Sequence, residues 1–452
     1  MSSLTTRPNA VQNPPDRPVP RPRPAAAAQP AVTELTRSDR HFLLWIVLAS
    51  FGANMAFLVP ITYSLALRIE QLIPNSPGLL GYVTGAAAVV SILTGPLIGS
   101  LSDNTRSRLG RRAPWAIGGI LVGLTGLLVM AQAPNVPVLA VGWVLGSTGW
   151  GAVSGAVGSL LADHLPAERR GRASAMVGLS TQLSAVTGIG LASVVNSNNV
   201  LLFLGPGVIG TVLVVLLLTH VREADSRALR RRPRPTPAGV LATFVVDPRR
   251  HPAFARIWAA RFLFFFGLSA NTTFATFFYA QRLGRSVAEI AGLVAVQGFL
   301  SIATITVGTL GAGFLADRSP RRDVLALIAT VVFAAGGLVS VAAHTLPLLL
   351  AGTLISSLGI GAYMTIGQAM VLDSLPEDKI ETGRLLGVMG YAQNIPDSLA
   401  PLIAPTLLAF GAAAGQQNYT LLYLLASAMA VISGLVLLTR GSGTGRLGGC
   451  RE

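Results

Sequence analysis

One acidic side chain, Asp397, stands near the middle of a long segment, 385–410, that otherwise carries no charge. Asn394 precedes it by three residues, and three prolines share the segment: Pro396, Pro401 and Pro405. Each proline lacks a backbone N–H, so in a helix the carbonyl one turn earlier loses its partner. A carboxylate, an amide and free carbonyls at one level can couple to protons or bind a small polar solute. The alternative is that they only satisfy the interrupted helix.

Two pairs of charged clusters recur along the chain, each at a nearly constant spacing. In the first pair the leading Gly and Asp recur 214 residues apart: Gly99, Asp103, Arg108, Gly110, Arg111 and Arg112 are matched by Gly313, Asp317, Arg318, Arg321 and Arg322. In the second pair the leading Asp recurs 210 residues later: Asp163, Glu168, Gly171 and Arg172 are matched by Asp373, Glu377, Gly383 and Arg384. Two independent matches at nearly one spacing indicate a duplicated unit.

These clusters have the composition of ion-pair networks. Asp103 and Asp317 each follow an apolar segment, so their carboxylates oppose the negative end of a helix dipole. The arginines beside them supply compensating charge. We therefore expect the clusters to form a conformational latch between helices, whose bonds break when that side of the protein opens. The alternative is a topology signal with ordinary helix capping.

The elements that must position these residues are membrane helices. Hydrophobic residues make up 51% of the 452 residues and charged residues only 12%, against about 25% charged in soluble domains. A bilayer core of about 30 Å needs roughly 20 apolar residues, and open sheets cannot cross it. Twelve segments qualify: 42–67, 79–101, 113–132, 137–162, 173–195, 200–221, 256–280, 288–316, 324–343, 346–372, 385–410 and 419–439. We predict an all-α integral membrane protein of twelve transmembrane helices in two pseudo-symmetric six-helix bundles.

The distribution of basic residues predicts the orientation. Of the 34 Lys and Arg, 30 fall on one side of the twelve spans, counting Arg256 at the start of the seventh span with the segment before it, and three fall on the other. Cytoplasmic loops carry such an excess, so both termini are expected in the cytoplasm and the protein in the cell membrane. The same bias accounts for the net charge of +15, so no nucleic-acid partner is required.

Composition also suggests the division of the chain. We expect a disordered Pro- and Arg-rich cytoplasmic tail over 1–40, a six-helix bundle over 41–221, a basic linker over 222–255, a second bundle over 256–440 and a cytoplasmic tail over 441–452. The linker carries arginine at four of the five positions 230–234. Such a cluster is expected to lie against anionic lipid headgroups.

At the first cluster the sequence GPLIGSLSDNTRSRLGRRAPW, 95–115, resembles the loop motif of the major facilitator superfamily. Its longer spacing looks like the sucrose-transporter and glycoside-cation symporter branch. The resemblance covers essentially residues 39–440 and implies the major facilitator fold, in which two bundles rock around a central site to give alternating access.

The resemblance also implies which helices line a central cavity. Polar and aromatic residues on them are the candidate cavity residues: Asn54, Trp150, Gln182, Asn271, Gln297, Tyr363 and Gln368. Amides and aromatic faces suit a hydroxyl-rich or mixed organic ligand, although each residue alone can equally serve helix packing. Arg261 is the only cation inside a span, about 10 Å from the depth of Asp397, so we expect it to snorkel rather than to pair with Asp397.

Other function classes lack their signatures. The single cysteine and five scattered histidines give no metal site, and no phosphate-binding Gly-x-x-x-x-Gly-Lys or Gly-x-Ser-x-Gly motif occurs, so neither an enzyme nor a cofactor is expected. We predict a monomeric secondary active transporter of a small organic solute, by proton-coupled or other cation-coupled symport of a sugar or related metabolite. The alternatives are proton-coupled efflux of a secondary metabolite or antibiotic, and a membrane sensor that transports nothing.

The charge bias predicts the topology directly. Reporter domains fused after Arg112, Arg172, Arg234 and Arg440 should read cytoplasmic, and fusions after Pro134, Asn198 and Gln416 external. A fusion of the first set that reads external, or one of the second set that reads cytoplasmic, would overturn the twelve-span interpretation.

Overall fold

The computed structural model describes part of the chain, over these ranges: 37–74, 76–165, 167–195, 197–221, 223, 225–227, 251–319, 321–374, 379–411 and 417–439. Residues 1–36 of the predicted N-terminal tail, the predicted C-terminal tail and most of the basic linker lie outside the described residues. The last four residues of the N-terminal tail, 37–40, are helical and begin the first helix, which corrects the predicted boundary. The side chains of three predicted latch residues also lie outside the described part: Glu168, Arg172 and Arg384.

Every described regular element is a helix, and no strand occurs in these ranges. The helices are α1 (Arg37–Val59, continuing as Pro60–Ser64 and Leu65–Leu72), α2 (Gly78–Asp103), α3 (Ala113–Ala131), α4 (Val136–His164), α5 (Ala167–Val194), α6 (Asn199–His220), α7 (Pro252–Thr273 and Ala275–Leu283), α8 (Ala291–Arg318), α9 (Arg322–Ala342), α10 (Leu346–Asp373), α11 (Lys379–Ala409) and α12 (Tyr419–Leu438).

Eleven of these helices are long and apolar enough to cross a membrane, counting only the residues described. The remaining one, α11, has 31 residues and is more polar because Gln393, Asn394 and Asp397 interrupt its apolar sequence. It packs along α2 and α7 inside the bundle. The chain is thus a multi-pass membrane protein, and the all-α fold expected from the sequence is confirmed.

The two halves are built alike. Gly126 of α3 lies against Gly146 of α4, and Gly336 of α9 lies against Ser356 of α10. The contacts are so close that an added Cβ on Gly126 or on Gly336 would overlap the facing backbone. Each residue of the second contact follows its counterpart in the first by the predicted 210 residues. In lipid, such small residues let helices associate by close packing.

The first helix of each half is broken at an equivalent place. Pro60, which has no N–H to donate, opens the π-helical turn Pro60–Ser64 in α1, and α7 is interrupted at Phe274. These breaks lie 214 residues apart, and so do Thr62 and Thr276, which touch: the Thr276 hydroxyl donates to the Thr62 carbonyl at 2.9 Å. A contact between equivalent residues is expected near the axis that relates two repeats.

Among the described residues, the close contacts between the halves lie toward one end. We call the end with the loops that follow α2, α4, α6, α8 and α10 the arginine-rich end, and the other the opposite end. Toward the opposite end, Gly81 and Gly85 of α2 press against Pro401 and Leu402 of α11, and Gly298 of α8 meets Val186 of α5.

Toward the arginine-rich end the same helices separate. An added Cβ on Gly95 or Gly99 of α2, or on Gly387 or Gly390 of α11, would have no described atom within 4 Å. The same holds for Gly178 of α5. The structure is therefore closed at the opposite end and open at the arginine-rich end.

Close packing at Gly81 predicts a conformational effect of a single methyl group. In Gly81→Ala the new Cβ overlaps the Pro401 carbonyl, a strain of roughly 1–3 kcal/mol that α2 and α11 relieve by separating. Spin labels at the exposed positions Tyr82 and Thr406, in a Cys450→Ser background, should report a longer distance. Gly95→Ala on the same helix is the matched control and should leave that distance unchanged. An identical distance distribution in both variants would show that Gly81 does not set the closure.

Candidate functional site

A cavity of about 540 Å³ lies between the halves, directly below the closed α2–α11 contact. Its lining comes from α1, α2 and α4 of the first half and from α7 and α11 of the second: Phe57, Leu58, Ile61, Thr62, Thr84, Ala87, Ala88, Ser91, Ile92, Trp143, Ser147, Ser269, Thr272, Thr273, Asn394, Asp397, Ser398 and Pro401. Because both halves contribute, a rocking motion of one half against the other would change its shape.

Asp397 and Asn394, the pair singled out from the sequence, both line this cavity and are exposed to it. Asp397 lies twelve residues before the end of α11 at Ala409, so its depth is about 18 Å from that end. The buried Ser269 hydroxyl of α7 donates a hydrogen bond to the Asp397 carboxylate. No arginine, lysine or histidine forms an ion pair with Asp397 within the ranges described.

Hydroxyl groups surround the carboxylate from both halves, and the sequence analysis missed them. Thr84 and Thr272 bond to backbone carbonyls of their own helices, at 2.7 Å to Leu80 and 3.0 Å to Leu268. Such bonding is common in membrane helices, so the hydroxyls gave no distinct signal in the sequence. Their oxygens keep acceptor capacity for a solute.

Two aromatic rings form one wall of the cavity. Phe57 of α1 and Trp143 of α4 lie with ring centroids 5.6 Å apart and an interplanar angle of 32°. Aromatic faces beside hydroxyls and a carboxylate suit a solute with both polar and apolar faces.

Two predicted cavity residues lie elsewhere, and their placement is corrected here. Trp150 is fully buried in a groove formed by Gly123, Gly207 and Gly210 inside the first half. Tyr363 is buried in the second half, where its ring stacks on Phe264 at 3.8 Å. Both are packing residues, because large rings fill the gaps that small residues leave between helices.

The predicted amide residues other than Asn394 do not line the cavity. Asn54 donates to the Ser50 carbonyl at 2.8 Å and lies on the same face of α1 as Leu58, one turn nearer the arginine-rich end. Gln297 of α8 donates to the Ser301 hydroxyl at 2.9 Å. The other three are exposed or partly exposed on α5, α7 and α10: Gln182, Asn271 and Gln368.

The first charged cluster forms an ion-pair network centred on Arg112. This side chain, only 9% exposed, contacts Asp103 at 2.6 Å and Asp163 at 3.3 Å. It also donates to the Ser102 hydroxyl at 3.0 Å. Arg111 contacts the other oxygen of Asp163 at 2.9 Å. The network ties the end of α2 to the end of α4 through the start of α3.

Glu223, at the start of the linker, is a further member that the sequence analysis missed. Its carboxylate accepts the backbone N–H groups of Arg112 at 2.8 Å and Ala113 at 3.1 Å, at the positive end of α3. Gly110 has φ of +88°, and an added Cβ there would overlap Glu223. Position 110 therefore requires glycine, both for its backbone conformation and for the space beside Glu223.

Ser226, three residues after Glu223, fixes the linker to the same loop. Its hydroxyl accepts from the Ser107 N–H at 2.9 Å and donates to the Thr105 carbonyl at 3.1 Å. Glu223 and Ser226 of the linker thus attach to the loop that follows α2.

The second half repeats one part of the network. Arg322 pairs with Asp373, and both residues follow their counterparts Arg112 and Asp163 by 210 residues. Asp317, the counterpart of Asp103, has no ion pair among the described residues.

The remaining predicted latch residues have other surroundings. Arg318 lies over the ring of Phe314, 3.5 Å from its centroid. Arg108 and Arg321 are exposed. Gly99 lines a groove between α2 and α4, and Gly313 approaches the Thr365 side chain of α10.

The geometry differs from the expected latch in one respect. Every described pair joins helices of the same half, and the pairs are intact although the arginine-rich end is open. Among the described residues, the clusters therefore do not bridge the halves, and these ion pairs are present in a structure whose arginine-rich end is open. The described pairs connect helix ends within one half.

Comparison with known proteins agrees with this architecture. A sequence model of the Major Facilitator Superfamily matches residues 42–311 and 299–446. Solute carrier family 45 member 3 of Macaca fascicularis is 36% identical over 96 residues, 21% of this chain and 17% of that protein. Multidrug resistance protein 2 of Bacillus subtilis (strain 168) is 22% identical over 277 residues, 61% of this chain and 66% of that protein. The matches thus span less than two thirds of either relative.

Solved structures share the fold. The nucleoside transporter NupG superposes with a TM-score of 0.69 at 12% identity, covering 88% of this chain and 98% of that one. A D-xylose-proton symporter superposes with a TM-score of 0.66 at 16% identity, covering 88% of this chain and 97% of that one. An inward-facing bacterial homolog of the human lysosomal transporter Spinster superposes with a TM-score of 0.64 at 17% identity, covering 89% of this chain and 95% of that one. Since the family model matches more than half of the chain, the protein belongs to the Major Facilitator Superfamily of membrane transporters.

Proposed function

We propose that this protein moves a small hydroxylated organic solute across the cell membrane by alternating access, coupled to protons through Asp397. The observation that carries the proposal is a lone carboxylate in the cavity between the halves, just below the contact that closes the opposite end. The arginine-rich end, open in this state, is the cytoplasmic side according to the charge bias.

Asp397 suits a proton site because its charge has little compensation. Its described partner is the neutral hydroxyl of Ser269, and a partly desolvated carboxylate with no cation beside it gains by taking up a proton. In a cavity open to one side at a time, such a group binds a proton from one side and releases it to the other.

Helix α11 links Asp397 to the contact that closes the opposite end. Pro401 of α11 lies one turn beyond Asp397 and supplies the carbonyl against which Gly81 packs. A shift of α11 that opens this contact also moves Asp397. Protonation and solute occupancy at Asp397 can therefore bias the two conformations.

The solute class follows from the lining. Hydroxyl groups, one amide and one carboxylate beside two aromatic rings favour a sugar or a sugar-like metabolite. The structural likeness to a D-xylose-proton symporter and to a nucleoside transporter supports this class, since both names denote hydroxyl-rich solutes.

Efflux is the second candidate. The cavity also presents apolar side chains, among them Ile61 and Ile92, and one relative is named as a multidrug resistance protein. An apolar lining of this kind would accept an apolar drug-like solute. Direction of solute flux in vesicles under an imposed proton gradient separates uptake from export.

Neutralising Asp397 tests the coupling. In Asp397→Asn the accumulation driven by a proton gradient should fall to an inside-to-outside ratio of about one, because no proton is carried with the solute. Counterflow exchange of the same solute, which needs no proton cycle, should remain measurable. Glu289→Gln, at an exposed acid before α8, is the control and should accumulate like the wild type. Full accumulation by a stable Asp397→Asn protein would disprove the coupling role.

We further propose that the Arg112 network keeps the first half rigid while it moves. Asp103→Asn removes one charged contact of Arg112, which at this partly exposed site is worth roughly 1 kcal/mol, or about a fivefold loss of flux. Asp317→Asn, at the equivalent position without a described ion pair, should change flux far less at equal abundance. Equal effects of the two variants, measured as initial uptake rates, would argue against the network.

A further inference from the structure

We propose that the transported solute carries an anionic group, and that Arg261 of α7 binds it; the solute class is a hydroxylated carboxylate of about monosaccharide size. This inference rests on the proposed transport function and narrows its substrate. It arises from a cation on the face of α7 that also carries the cavity residue Thr272, and the described residues provide this cation with no counter-ion.

Arg261 is poorly compensated within the protein. Its Nε is buried and has no hydrogen-bond partner in the described part of the chain, and no described carboxylate forms an ion pair with it. Its guanidinium lies 5.2 Å from the ring centroid of Phe265, and the buried Tyr363 is the neighbouring polar group. A cation–π contact stabilises a guanidinium only in part.

Snorkelling was the expectation from the sequence for Arg261, and a second arginine of α7 offers a comparison. Arg256, five residues earlier on α7, donates to the Thr439 carbonyl at the end of α12. Arg261 lies more than one turn deeper. The Nε atoms of both arginines are buried and without a partner, but Arg261 has no hydrogen bond or ion pair to any described residue, whereas Arg256 has the bond to Thr439. A desolvated cation without a counter-ion is costly, and a bound anion removes that cost.

The periodicity of α7 places Arg261 on the same face of the helix as a residue that lines the cavity. Arg261, Phe265, Leu268 and Thr272 follow one another at steps of four, three and four, so they share one face of the helix. Thr272 lines the cavity. Arg261 lies about 16 Å from it along the axis, on the side of the open arginine-rich end.

The spacing to Asp397 suits a solute with one charged and several hydroxyl groups. Ser269, which bonds to Asp397, is eight residues beyond Arg261, or about 12 Å along the helix. An extended arginine side chain turned toward the cavity would span part of this gap. A carboxylate can then form paired hydrogen bonds with the guanidinium, while hydroxyls of the same molecule reach Thr272, Asn394 and the protonated Asp397.

This arrangement also balances charge. One carboxylate and one proton carried together are electrically neutral, so transport of the anion by Asp397-linked symport would not be opposed by the membrane potential. A neutral solute carried with a proton would move one net charge.

Ligand-induced stabilisation of the purified full-length protein tests the assignment. D-gluconate and D-glucuronate are compared with their neutral counterparts sorbitol and D-glucose, at equal ionic strength, by the shift of the unfolding midpoint. The acids should raise the midpoint of the wild type, and the neutral compounds should not at the same concentration. In Arg261→Gln the apparent affinity for the acids should fall at least about tenfold, whereas Arg261→Lys should retain part of it. Arg256→Gln is the matched control and should bind like the wild type.

Each other outcome counts against the assignment. Equal stabilisation by neutral and acidic compounds, no stabilisation by either acid, or unchanged affinity in a folded Arg261→Gln protein would overturn it. Proton-driven uptake of D-glucose but not of D-gluconate by the wild type would refute the anionic substrate while the proposed transport function stands. Failure of gradient-driven flux for every compound, with no effect of Asp397→Asn, would instead refute the proposed function.

Discussion

Direct contact between α2 and α11 is the constraint on which the rest of the structure depends. Gly81 and Gly85 offer no side chain, so the backbone of α2 reaches the Pro401 carbonyl and Leu402. The contact closes one end of the cavity and leaves Asp397 just below it. Since three prolines interrupt the hydrogen bonding of α11, the helix that carries the carboxylate is also one that can bend. The contact that closes the cavity and the carboxylate of Asp397 therefore lie on the same helix, α11.

Duplication explains the symmetry of the scaffold, and the departures from it mark the functional parts. Equivalent close contacts hold α3 to α4 and α9 to α10, and Arg112–Asp163 and Arg322–Asp373 hold equivalent helix ends. The carboxylate of the cavity occurs in the second half alone among the lining residues. In the first half the linker adds Glu223 to the network. A rigid and symmetric frame thus carries an asymmetric site.

The sequence predicted much of this architecture because lipid imposes strict requirements. Spans, repeat and family follow from apolar length, charge bias and the spacing of Gly99 and Asp103. Asp397 was found because a charge inside a span is rare. Trp150 was misplaced because one sequence does not show whether an aromatic ring faces a cavity or fills a groove between helices. Thr84 and Thr272 were missed because hydroxyls satisfied by their own helix resemble packing residues, and Glu223 because its partners are 111 and 110 residues away.

The central claim is that one cavity, closed by α2 and α11 in this state, opens to each side in turn. Ala88 lines that cavity on α2 and accepts a cysteine in the otherwise cysteine-free Cys450→Ser chain. A membrane-impermeant maleimide, applied to oriented vesicles from one side at a time, measures access to it. The account predicts labelling from both sides, with a solute gradient raising the rate from one side as it lowers the rate from the other. Labelling from only one side under every gradient, or rates that rise together on both sides, would contradict alternating access at this cavity.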